Sequence, residues 1–180
     1  MKQINAIGKV CLLGDGQVGK TSLIRKFVLD QFSDDYITTV GTKVSKKKLF
    51  MEFPDNDKCV DLTLTIWDIL GQKEFKSLHT TFYAGASGGL IVCDLSRHDT
   101  FESMAGWIES LFQITGDIPL VMIGNKSDLV DERQVDDSEL QAICNQHNSI
   151  YITTSAKTGL NVEMAFENLA TNIIRSKYLK

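Results

Sequence analysis

The chain has 180 residues, 43% hydrophobic and 23% charged, with a formal net charge of −4. That length suits one compact domain over residues 1–180 built around a single core. The acidic balance argues against nucleic acid or anionic lipid as a partner for the chain as a whole, and two prolines leave no room for a proline-rich linker.

In chain order, short apolar runs alternate with amphipathic segments, the pattern of an α/β domain with a largely parallel sheet. Ile7 to Leu13 reads as a buried strand ending in a glycine-rich turn. A helix is predicted from about Gly19 to Asp30, with Leu23, Ile24, Phe27 and Val28 on one face. Residues 43–53 and 59–67 alternate as a β-hairpin, with turn chemistry at 54–58. Lys46, Lys47 and Lys48 read either as a binding patch or as the solvated edge of that hairpin, protected from aggregation by charge. Further strands are predicted at Leu90–Asp94, Leu120–Asn125 and Ile150–Thr154, and helices at about 100–115, 138–148 and 161–176, the last capped by Asn161. Cys11, Cys59, Cys93 and Cys144 are scattered, without a CxxC pair, and read as buried free thiols of a reducing compartment. The first residues are too short an apolar run to span a membrane, Lys2 rules out N-myristoylation, and the last residue is not a prenylatable cysteine. No lipid anchor is therefore visible in the chain, which is expected in the cytoplasm, reaching a membrane only through a partner or a further tail.

Gly14, Asp15, Gly16, Gln17, Val18, Gly19, Lys20 and Thr21 match G-x-x-x-x-G-K-[ST] between a strand and a helix. Glycines let backbone curl around phosphate with its N–H groups pointing inward, and the positive end of the helix dipole adds to them. Lys20 is positioned to neutralise the β- and γ-phosphates of a nucleotide, and Thr21 to offer a hydroxyl to Mg²⁺. Ser22 follows on the same turn.

Asn125, Lys126, Ser127 and Asp128 form N-K-x-D directly after a strand. The Asp128 carboxylate can accept from both N1–H and the exocyclic amine of guanine, a donor pair adenine lacks. Asn125 can reach the base edge and tie loops together, the Lys126 stem can cover the purine face, and Leu129 closes the motif. In a second loop, Ser155, Ala156 and Lys157 follow Thr154, with backbone amides suited to the guanine O6.

Asp68, at the end of the third strand, can hold a water on Mg²⁺; Gly71 can offer its N–H to the γ-phosphate; Gln72 can orient the attacking water. Upstream, Thr39 is the expected second Mg²⁺ hydroxyl, with Thr38 as its neighbouring alternative. Both loops, 33–43 and 69–83, are expected to respond to the γ-phosphate.

With these residues assembled, the chain resembles a Ras-superfamily small GTPase, most of all the Rab branch. The resemblance runs from Ile7 to about Ile174 and rests on Tyr36-x-x-Thr39-Val-Gly41, Trp67-Asp68-x-x-Gly71-Gln72 and Thr154-Ser-Ala-Lys-Thr-Gly-x-Asn161-Val162. It implies a P-loop NTPase fold: a three-layer α/β/α arrangement with six mostly parallel strands and five helices. It implies that Phe32 packs on the guanine and Tyr36 closes over the phosphates. It also implies a monomeric switch in membrane traffic or signalling, cycling between GTP and GDP with Mg²⁺. Effectors, exchange factors and arginine-lending activating proteins are expected at the two switch loops.

Three departures stand against the pattern. Ile69-Leu70 replaces a usual Thr-Ala, with Leu70 placing a bulky side chain close to the γ-phosphate; Gln17 replaces a frequent glycine; and the cysteine-bearing tail is missing. Ile69-Leu70 keeps a second reading open, that of a nucleotide-dependent scaffold with little hydrolysis. A P-loop kinase acting on a small acceptor is a third, but it leaves N-K-x-D unexplained.

Overall fold

The computed structural model describes residues 1–33, 41–69, 71 and 76–179, with 76–78 in backbone only. Six strands form one sheet: β1 (Lys2–Leu13), β2 (Thr42–Phe53), β3 (Lys58–Ile69), β4 (Gly88–Asp94), β5 (Leu120–Asn125) and β6 (Ile150–Thr153). Their order is β2-β3-β1-β4-β5-β6. Among the described strands only the β2–β3 pairing is antiparallel.

Helices α1 (Lys20–Leu29) and α6 (Val162–Tyr178) cover one face. Helices α2 (Lys76–Tyr83), α4 (Met104–Thr115) and α5 (Asp137–Gln146) cover the other, and the short α3 (His98–Glu102) leads into α4. The predicted 100–115 helix is thus the α3–α4 pair, broken at Ser103, whose hydroxyl bonds back to the Asp99 carbonyl at 3.1 Å. Counting that pair once gives the five helices and three layers expected.

The strands differ in how they are covered. Every residue of β4 and β5 is buried, because helices lie on both faces. β4 begins two residues earlier than its apolar run, at Gly88 and Gly89. A Cβ at Gly88 would meet Ile173 and Leu169 at 2.9 Å, and one at Gly89 would meet Leu111 and Leu120 at 3.0 Å, so helices on both sides pack directly on backbone. β1 also begins earlier than expected, because Lys2–Ile7 pair with Lys58–Thr63 of the long hairpin. That pairing is long-range and invisible to local hydrophobic patterning.

β2 is the sheet edge, and Lys46 and Lys48 are exposed on it. The edge-strand reading of the lysine run fits this placement. Lys47 instead folds over α1, donating to the Phe27 carbonyl at 3.2 Å.

Asn161 does not cap α6 with its side chain. It takes a left-handed φ of 57°, and its Nδ2 donates to the Thr153 carbonyl at 2.9 Å, tying the helix start to β6. Cys11, Cys93 and Cys144 are free and buried, while Cys59 is only half-buried. Burial pushes the Cys11 and Cys93 thiols up to about 12, so they are inert core residues.

The two helices on the first face meet at a ring stack: Phe27 of α1 and Phe166 of α6 lie 4.1 Å apart and 1° from parallel. Since α1 carries Lys20 and Thr21, this contact anchors the site to the core. Phe166→Ala is expected to cost about 3–5 kcal/mol through lost burial and the residual cavity, read as a lower urea midpoint at unchanged m-value.

Candidate nucleotide site

The loops that follow β1, β3, β4, β5 and β6 all leave the carboxyl edge of the parallel strands, where open α/β sheets place ligands. β1 lies between β3 and β4, so the loop opening α1 sits at the centre of that edge.

That loop wraps Lys20. Its ammonium is buried and donates to the Gly14 carbonyl at 2.8 Å and the Asp15 carbonyl at 2.9 Å. Burial pulls its pKa down to about 8, while Asp68 and Asp15 oppose that shift. The charge is held inside the loop rather than at the surface. α1 starts at Gly19 without a side-chain cap, so the helix end presents backbone donors and a positive dipole to an anion.

Thr21 and Asp68 meet beside it: the Thr21 hydroxyl donates to Asp68 Oδ2 at 2.5 Å. Asp68 is 3% exposed, its other oxygen is buried with no hydrogen-bond partner among the described residues, and burial raises its pKa against the pull of Thr21 and Lys20. A buried carboxylate oxygen with an open lone pair beside a hydroxyl is the hard oxygen chemistry that Mg²⁺ takes. Gly71 lies close against the loop. A Cβ there would come within 2.7 Å of Gly14 O, Asp15 C and Gly16 N. Only glycine permits that approach.

Asn125, 1% exposed, joins the remaining motifs. Its Nδ2 donates to the Val18 carbonyl at 2.9 Å, and its Oδ1 accepts from the Thr154 hydroxyl at 3.0 Å and the Ala156 N–H at 3.3 Å. Gly19 (φ 102°) has to lack a Cβ, which would collide with the Asn125 amide nitrogen. Asp128 accepts from the Ser155 hydroxyl at 2.7 Å through Oδ1. The Ser155 N–H goes to the Leu160 carbonyl at 3.1 Å. With the Ala156 N–H on Asn125, two amides of this loop carry hydrogen bonds within the fold.

Lys126 takes a left-handed φ of 65°. Its ammonium lies 2.8 Å from Asp94 Oδ2, a carboxylate 1% exposed at the end of β4. Leu129 and Ser22 are half-buried near their loops, Lys157 is exposed, and Phe32 is 37% exposed just past α1. Tyr36, Thr39 and its alternative Thr38, Leu70 and Gln72 lie outside the described residues. Ile69 is 1% exposed and belongs to the core beneath α2 and α4; it packs rather than facing the site.

Three contributors escaped sequence reasoning. Asp94 had a signal, a lone carboxylate closing an apolar strand. Arg97 and Trp107 had none: Arg97 Nη1 donates to the Gly16 carbonyl at 3.2 Å, and Trp107 Nε1 donates to Asp15 Oδ1 at 2.8 Å. They reach the loop from the start of α3 and from α4, more than eighty residues away in sequence.

The Ras family model matches residues 9–175. The chain belongs to the Ras family. It is similar to the Ras-related protein Rab7 of Drosophila melanogaster, 41% identical with 92% of this chain and 80% of that protein covered. It is also similar to the Ras-related protein Rab-2B of Dictyostelium discoideum, 36% identical with 93% and 80% covered. This Rab-like chain is a GTP-binding switch and a GTPase. Among the described residues no helix is long and apolar enough to cross a membrane.

Removing the Asn125 side chain strands a buried carbonyl, hydroxyl and amide at once. Unsatisfied groups of this kind cost roughly 1–3 kcal/mol each and do not add fully. Asn125→Ala is expected to lose about 3 kcal/mol in urea unfolding, whereas Asn145→Ala on the exposed side of α5 stays within about 0.5 kcal/mol.

Proposed function

We propose that residues 1–180 form one G domain that binds guanine nucleotide with Mg²⁺ and switches its 33–43 and 69–83 loops as GTP turns to GDP. The observation that carries this reading is the convergence of Lys20, the Thr21–Asp68 pair and the Asn125–Asp128 motif on one sheet edge, joined through Asn125.

In this reading the loop amides and Lys20 hold the phosphates. Thr21 and Thr39 hold Mg²⁺, with Asp68 holding a water on it, and the ion supplies charge neutralisation to the leaving phosphates. Gly71 offers its N–H to the γ-phosphate and Gln72 orients the water for in-line attack. Asp128 reads the guanine edge, kept in orientation by the Ser155 hydroxyl, and Lys126 lies along the purine face with its charge balanced by Asp94. Phe32 and Tyr36 close the site. Effectors, exchange factors and activating proteins engage the two switch loops, and the chain works as a monomer. With no arginine in the 31–45 loop, unassisted turnover is slow, on the order of 10⁻⁴ s⁻¹. Phosphate release from GTP-loaded protein in a single turnover tests the reading. A rate indistinguishable from that of Gln72→Leu would favour a scaffold over a hydrolase.

Asp128→Asn replaces an acceptor with a donor where guanine also donates. Nucleotide competition is expected to show preference moving from GTP to xanthosine triphosphate, which presents a carbonyl there. A variant that still favours GTP by the parent margin refutes the role of Asp128.

Thr21→Asn removes the hydroxyl beside Asp68. Losing a hydrogen bond to a charged group costs roughly 1.5–3 kcal/mol, about one to two decades in affinity. The loss is expected to fall mainly on GTP and to shrink when Mg²⁺ is chelated. Titrations of GTP and GDP with and without the ion check this, and equal losses for both nucleotides count against it.

A further inference from the structure

Gln17 occupies the left-handed region, with φ at 67° and its side chain exposed. In that region a Cβ crowds the following carbonyl, so a residue other than glycine is disfavoured there. Among the described residues no side-chain hydrogen bond of Gln17 offsets this. The obvious relief is a flip of the peptide plane between Gly16 and Gln17, which changes ψ of the first residue and φ of the second together. The carbonyl of that same peptide is the one on which Arg97 sits, Nη1 to Gly16 O at 3.2 Å.

Arg97 is itself held. Its carbonyl accepts from the Thr100 hydroxyl at 2.7 Å, its Nη2 reaches Asp99 Oδ2 at 3.2 Å, and the neighbouring Leu95 N–H donates to the Asn125 carbonyl at 3.0 Å. The preceding loop residue is fixed from the same side by Trp107 on Asp15. A charged donor on a carbonyl also polarises the N–H of the same peptide, which strengthens it as a donor.

We propose that Arg97 is a positioning residue for the phosphate loop: it latches the Gly16–Gln17 peptide, keeps Gln17 left-handed, and so holds the Gln17 N–H toward the nucleotide. This rests on the reading of the loop as a GTP/GDP site. The latch is needed because position 17 is not glycine. A glycine there has no preference to relieve, and the peptide would keep its orientation with less help.

The test is release of fluorescent GDP from Mg²⁺-loaded protein, chased with excess GDP, for the parent, Arg97→Ala, Gln17→Gly and the double variant. Arg97→Ala is expected to speed release about tenfold, the scale of one charge-assisted hydrogen bond, and Arg97→Lys to recover part of it. In the Gln17→Gly background the same substitution is expected to speed release by less than about threefold. Parent-like release from Arg97→Ala, or an equal effect in both backgrounds, overturns the latch. So does a fall in the urea midpoint of Arg97→Ala like that of a core variant, which would mark general loosening. A parent that retains no GDP at all overturns the nucleotide reading itself, a result distinct from the others.

Discussion

The side chain of Asn125 is the constraint on which the site depends. It has one amide, buried to 1% exposure, and it satisfies a carbonyl of the phosphate loop and two donors of the 154–157 loop at the same time. In a water-excluded position each of those groups would be costly to leave unmade. The three loops therefore keep their relative placement or lose several hydrogen bonds together. Gly19 follows from the same constraint, since its lack of a Cβ is what admits the amide.

Around that tie the charges are arranged for a ligand rather than for one another. Lys20 is buried among backbone carbonyls, with its proton held more weakly than in water. Asp68 is buried with an oxygen that nothing in the described protein satisfies. A low-dielectric pocket makes both groups expensive by themselves and makes complementary charge correspondingly favourable. A phosphate against Lys20 and a divalent ion beside Thr21 and Asp68 would relieve both, which is the physical content of the proposed Mg²⁺–nucleotide site. Asp94 treats Lys126 differently: there the counter-charge is built into the fold, and the lysine is held in place without a ligand.

Much of this was legible beforehand. β3, β4 and β5 follow from apolar patterning because their burial is set by local alternation or continuity. The phosphate loop and N-K-x-D are local in sequence, and their spacing encodes backbone geometry directly, so their placement at strand ends could be read without coordinates. The start of β1 and the break between α3 and α4 were less legible. The first depends on pairing with a hairpin fifty residues on, the second on a hydroxyl bonding back along its own helix. Ile69 was read together with Leu70 as a departure from the family pattern, two residues before Gly71. The strand's alternation instead turns it into the core.

By itself, then, the sequence determined the α/β class, the family and the motifs proposed to meet a nucleotide, because each is written within a few consecutive residues. Only the tertiary structure decided which distant groups hold those motifs: Asp94 on Lys126, Ser155 on Asp128, Trp107 on Asp15 and Arg97 on Gly16. The reason is that a polar contact between residues roughly thirty to ninety positions apart leaves no local period or spacing. It exists only once the strands of the sheet have brought their carboxyl ends to the same edge.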